Sequence, residues 1–140
     1  MTNTIYDITH ESDAILLIGS NPEHAHPVLG MQVRQAVQRG AKLIVIDPRD
    51  IDVAKDADIH LKLKPGTNVA LVNGLMNIII NEGLANEEFI AQRTENFDAL
   101  KEVVKDYTPD KVAKICGVDE DMLREAARIY ATVDKAPIMY

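Results

Sequence analysis

Apolar residues in this chain fall in short blocks whose spacing changes part-way along. The run 14–18 is wholly apolar and closes on Gly19, which suits a strand buried on both faces. Lys42 followed by four apolar residues to Ile46 reads the same way, and it breaks at Asp47 and Pro48. Between them, after a turn over 20–27, Val28, Met31, Val33, Ala36 and Val37 approximate a helical stripe, with Gly40 as its C-cap. A helical turn is expected around 51–55. The stretch 58–63 alternates polar and apolar residues, predicting a third strand nearer the sheet's edge.

Pro65 and Gly66 turn the chain, and Thr67 is placed to N-cap a helix running to Asn81. Its apolar positions, from Val69 through Ile80, cover a wide face, which predicts deep packing; Gly83 ends it. Helices are then expected over 86–93, 97–105, a short piece after Thr108 and Pro109, and 119–131. Strands alternating with helices, without hairpin signals, predict an α/β fold: a Rossmann-like three-layer domain with a parallel sheet and a C-terminal helical extension. The expected division is a core over 1–82, an extension over 83–135, and a further strand beginning at 136–140. That unfinished apolar strand suggests a piece of a longer chain.

Composition narrows the function classes. The chain has 140 residues, 46% hydrophobic and 4% aromatic with no Trp, so its core must be aliphatic. A net charge of -7 argues against a general nucleic-acid or anionic-membrane surface. The single cysteine, Cys116, excludes an internal disulfide and an iron–sulfur cluster held by this chain alone. No apolar run is long enough for a membrane span, and residues 1–9 lack a secretory pattern, so a cytoplasmic setting without direct membrane contact is expected.

Ligands of open parallel sheets bind beyond the carboxyl ends of the strands, and each expected strand ends in a loop of unusual chemistry. The first, 19–24, offers Gly19 for close backbone approach, then Ser20 and Asn21 as short polar groups, with Pro22, Glu23 and His24 at a helix start, where phosphate is favoured. The glycine fingerprint of dinucleotide folds is absent, and a plain polar turn explains the loop alone. The second, Asp47, Pro48 and Arg49, puts a carboxylate where ribose hydroxyls or a guanine edge are bound, beside a planar cation; a surface Asp–Arg pair explains it equally. The third, 64–68, brings Gly66, Thr67 and Asn68 to another helix start, which ordinary capping also explains. Three such loops on one edge of one sheet favour a nucleotide-like ligand. His24 and His26 have a metal-like spacing but no evident third ligand. Cys116, before Gly117, reads as a semi-buried small apolar residue. Neither a metal site nor a catalytic residue is assigned.

The segments SDAILLIGSNP (12–22), GAKLIVIDPR (40–49) and KPGTNVAL (64–71), in this order, resemble the molybdopterin oxidoreductase family that binds bis-molybdopterin guanine dinucleotide. Residues 1–4 resemble the lead-in to that domain. The segments EFIAQRTENF (88–97), YTPD (107–110) and REAARIY (124–130) are similar to those of formate dehydrogenases within the family.

The resemblance implies that Gly19 through His24 lie along a pyrophosphate and ribose of one molybdopterin guanine dinucleotide. It implies that Asp47, Pro48 and Arg49 surround the nucleoside, and that Gly66, Thr67 and Asn68 complete the pocket. The family often carries Asp where Asn68 stands; Asn keeps an acceptor but loses the charge. The family's molybdenum or tungsten ligand, its adjacent His, its substrate Arg and its iron–sulfur cysteines have no counterpart here. The chain is therefore expected to be an inactive part of a catalytic subunit that oxidises formate to carbon dioxide. The remainder of that subunit and electron-transfer subunits would be its partners, and a parent iron–sulfur cluster would lie elsewhere. The alternatives are the same domain of a nitrate reductase or NADH-dehydrogenase-type subunit, a receiver-type signalling module, or a stand-alone nucleotide-binding or interaction module. The receiver reading is disfavoured because Gly19 and Lys64 stand where it needs acidic residues.

Overall fold

A computed structural model describes residues 4–140, so the lead-in resemblance over 1–3 lies outside the described residues. The chain divides into two compact units, one comprising the described residues up to Lys62 with Val133–Tyr140, the other Leu63–Thr132.

The first unit is built on a four-stranded parallel sheet. Strands β1 (Ala14–Ile18), β2 (Lys42–Ile46), β3 (Ile59–Leu61) and β4 (Ile138–Met139) lie in the order β3-β2-β1-β4. Register runs Ala14 to Lys42 and Ile18 to Ile46 between β1 and β2, with Ile44 beside Ile59 and Leu16 beside Ile138. The two central strands are the two continuous apolar runs, because only a strand covered on both faces needs no polar position. Ile15, Leu17, Leu43 and Val45 form one core cluster with Val33 and Ala36 of helix α3 (Pro27–Gln38) and with Ile51 and Val53 around the 3-10 turn Asp52–Asp56. The third strand is an edge strand, as its alternation predicts, but only three residues pair; Asp58 instead spends its carboxylate on the Leu43 amide (2.9 Å) and the Lys42 ammonium (2.6 Å).

Two features of this unit differ from the sequence reading. Helix α1 (Ile5–His10) was not expected in so polar a stretch; a reciprocal cap starts it, with Asp7 N donating to Thr4 Oγ1 at 3.1 Å and Thr4 N to Asp7 Oδ2 at 2.9 Å. The Arg39 guanidinium also donates to the Thr9 carbonyl. In α3 the buried stripe is Gly30, Val33 and Ala36, whereas Val28 and Met31 are exposed. The stripe is rotated because the tightest approach in the helix is made by the residue without a side chain.

The second unit is helical: α4 (Asn68–Asn81), α5 (Glu87–Arg93), α6 (Phe97–Val104), α7 (Pro109–Cys116) and α8 (Glu120–Thr132), while the short helix α2 (Pro22–Ala25) belongs to the first unit. α4 buries Leu71, Gly74, Leu75, Asn77 and Ile78, but Val69 is 71% exposed, so its apolar face is narrower than its sequence suggests. A Cβ on Gly74 would stand 2.8 Å from Val112 Cγ1, which shows how closely α7 lies against α4. Asn77 is buried and its Nδ2 donates at 2.8 Å to the Val104 carbonyl at the end of α6, which the Tyr107 amide also reaches at 3.0 Å. Glu82 takes both Arg128 nitrogens, at 2.7 and 2.9 Å, and joins α4 to α8.

Candidate functional site

The first two candidate loops leave the carboxyl ends of neighbouring strands β1 and β2. Gly19 has φ +61, where a Cβ is disfavoured, and its amide extends the ladder to the Ile46 carbonyl at 2.9 Å. The loop then enters α2 at Pro22, the first helical position, where a missing N–H costs nothing. Asn21 occupies the N-cap, yet its side chain caps no amide, and its Oδ1 is buried without a hydrogen-bond partner. A buried carbonyl oxygen left unpaired costs about 1–3 kcal/mol, which marks a polar group held ready for another donor.

What presses this loop into place is Gly30 of α3. A Cβ there would meet Glu23 Cγ at 2.9 Å and Glu23 Cα and N at 3.0 Å. The sequence reading passed over Gly30; its signal was an isolated glycine inside a helical pattern, which usually has a packing reason. Glu23 lies 2.7 Å from Arg34 Nε, and Arg34 reaches Asp56 at 3.3 Å. His24 is exposed and borders an open depression of about 830 Å3 that Met31 and Lys55 also line. His26 is exposed too; among the described residues no group of three or more His, Cys, Asp or Glu is placed to hold a metal.

In the second loop the carboxylate of Asp47 is turned inward, 1% exposed. Its Oδ1 accepts from the Arg49 amide at 2.8 Å and from Arg49 Nε at 3.0 Å, and its Oδ2 accepts from Nη2 at 2.9 Å. Hydrogen bonding from Arg49 holds the Asp47 carboxyl below its usual range in spite of burial, and Asp47 in turn raises Arg49. The His60 Nε2 lies 3.0 Å from the Asp47 carbonyl oxygen and pins the backbone from β3. The group left facing outward is Arg49, whose side chain is 63% exposed, with Pro48 exposed beside it.

The third loop belongs to the second unit. Gly66 has φ +86, and Thr67 stands at the N-cap of α4 as expected. Its hydroxyl does not cap, however: Thr67 Oγ1 donates to the Lys64 carbonyl at 2.6 Å, so the first-turn amides of α4 receive no side-chain cap. Gly66 and Asn68 are exposed. In the first unit a buried unpaired amide oxygen and a braced guanidinium offer an acceptor and a planar cation, suited to a ligand that both donates hydrogen bonds and carries negative charge. In the second unit the 14-residue helix α4 starts without a side-chain cap, which by itself suits an anionic group.

Comparison with known proteins places the chain in a family. The model of the molybdopterin oxidoreductases matches residues 1–138, and the chain belongs to that family. It is 50% identical over all 140 residues to the F420-dependent formate dehydrogenase subunit alpha of Methanocaldococcus jannaschii, and covers 21% of that protein. It is 41% identical over the same length to formate dehydrogenase H of Escherichia coli, covering 19% of it. The solved structure of the acetylene hydratase from Pelobacter acetylenicus superposes with a TM-score of 0.85 at 40% identity, over 97% of this chain and 20% of that one. The chain thus spans about a fifth of the length of these relatives, and the parallel α/β fold expected from its sequence is the fold of the family.

Proposed function

We propose that this chain is the part of a formate dehydrogenase catalytic subunit that holds one molybdopterin guanine dinucleotide. The observation that carries the reading is the placement of Asn21 and Arg49 on loops that follow adjacent strands of one sheet. The first offers a buried acceptor without a partner, the second an exposed cation fixed from behind by Asp47. Whole-chain identity to proteins named as formate dehydrogenases favours formate as the parent's substrate.

When bound, the cofactor supplies a molybdenum or tungsten centre that accepts two electrons from the substrate. The residues of this chain bind and orient it. Gly19, with no Cβ, lets the backbone of 19–24 approach the pyrophosphate, and Ser20, Asn21 and the segment Pro22, Glu23 and His24 frame the adjoining ribose. Arg49 lies along the nucleoside end, with Pro48 as an apolar edge and Asp47 as the group that holds the guanidinium plane. Gly66, Thr67 and Asn68 are assigned to the same cofactor by the family resemblance, offering amides and the Asn68 carbonyl. The parent would work in the cytoplasm, passing electrons to partner subunits and an iron–sulfur cluster outside this chain.

The deciding experiment uses the full-length subunit. Pterin and metal content are measured alongside reduction of a viologen dye by formate and, in reverse, oxidation of the reduced dye by nitrate. Formate-dependent reduction with bound guanine dinucleotide is the expected result. Nitrate-dependent oxidation without formate activity would make it a nitrate reductase instead.

A further inference from the structure

Two consecutive residues at the end of α7 hold the loop that opens α4. The Cys116 carbonyl accepts from the Lys64 amide at 2.8 Å, at the start of the loop. Its thiol, fully buried, lies 3.6 Å from the Thr67 carbonyl and donates to it at the loop's other end. Gly117 follows in the left-handed region at φ +71, and a Cβ there would stand 2.8 Å from Lys64 Cε and 3.4 Å from Cγ. The stem of Lys64 therefore lies across the bare glycine. None of these contacts is needed to end α7, since the amides of Gly117 and Val118 already return to the Ala113 carbonyl at 2.8 and 3.2 Å.

Within the loop itself, the Thr67 amide and hydroxyl both go to the Lys64 carbonyl, at 3.2 and 2.6 Å. Those bonds close the turn on itself but do not fix where it sits. From outside the loop, the end of α7 reaches both of its ends through Cys116. We propose that Cys116 is a positioning residue that, through its carbonyl and its thiol, fixes the loop carrying Gly66, Thr67 and Asn68 before the cofactor arrives. The proposal rests on the reading of that loop as a cofactor contact. A loop ordered in advance loses less freedom on binding, so its bracing shows in cofactor retention more than in the stability of the helices. The helical unit thereby acquires a role that its sequence, read as an extension, does not announce.

The test compares Cys116→Ala with Cys116→Ser in the full-length, cofactor-loaded subunit. Pterin release over time is followed by fluorescence after oxidation, and melting temperature is recorded beside it. Cys116→Ala should release pterin several-fold faster, and Cys116→Ser, which keeps a donor toward Thr67, should return to the wild-type rate. Release from Cys116→Ala at the wild-type rate, or from Cys116→Ser as fast as from Cys116→Ala, would overturn the proposal. Gly66→Val with unchanged release would instead remove the loop from the cofactor site, and the proposal with it.

Discussion

Asp47 and Arg49 form a closed fork within three residues: one buried carboxylate takes the backbone amide and two guanidinium nitrogens of the same arginine, at 2.8, 3.0 and 2.9 Å. Two parallel N–H bonds fix a plane as well as a distance, which a lysine at the same place would not do. The carboxylate that the sequence offers as a ligand group is thus engaged from within, and the cation is what it presents.

Asp47→Asn removes the charge while keeping the shape. Loss of hydrogen bonds to a charged group costs about 1–3 kcal/mol, so the variant should unfold at lower urea at neutral pH. Because Arg49 depresses the Asp47 pKa, the fork's contribution is fully present above the ordinary carboxylate value of 3.8 and is lost as pH falls through the lower folded value. Urea midpoints measured against pH should therefore converge for the two proteins below that range. A constant difference down to the acid limit would show that the charge is not the source.

Gly30→Ala sets two effects against each other. Helix propensity alone would favour alanine by about 1 kcal/mol. The new Cβ, however, would crowd the Glu23 backbone at 3.0 Å, and overpacking typically costs about 1–3 kcal/mol. A lower melting temperature is the expected outcome, with amide shifts moving at Ser20 through His24. A higher one would mean that the loop gives way freely.

Asn77→Leu keeps volume but strips the donor that reaches the Val104 carbonyl at 2.8 Å. The Tyr107 amide still reaches that carbonyl at 3.0 Å, so the loss is that of a hydrogen bond, about 0.5–1.5 kcal/mol, and the last turn of α6 should exchange its amide hydrogens faster than α8 does. Equal protection in both helices would place that satisfaction elsewhere.

Titrating the labelled chain with GDP should give saturable amide shifts at Gly19 to His24 and Asp47 to Arg49, with weaker effects for ADP. Equal response to both nucleotides would leave a phosphate site without guanine preference. The chain by itself should not oxidise formate, because the proposed reacting groups lie outside it; turnover by the isolated chain would overturn that.

The two central strands, their parallel pairing and the positions of most helices were legible because each rests on a local pattern. An apolar run without polar interruption, a stripe of 3.6-residue period, or a glycine after a helix is a statement about neighbours in sequence. The family was legible for a related reason: its motifs are short loops at strand ends, and each survives as a string of residues. Composition likewise set the net charge of -7 and an aliphatic core without Trp.

What only the tertiary structure decided is which partner each polar or small residue takes, whether near in the chain or far from it. It turned Asp47 inward toward Arg49, rotated the buried face of α3 onto Gly30, and took Thr67 away from its cap to bond Lys64. It also set Cys116 and Gly117 beside a loop 49 residues earlier. A hydrogen-bonding side chain carries the same donors and acceptors in any fold, and which of them is free to meet a ligand depends on what the packed chain has already used.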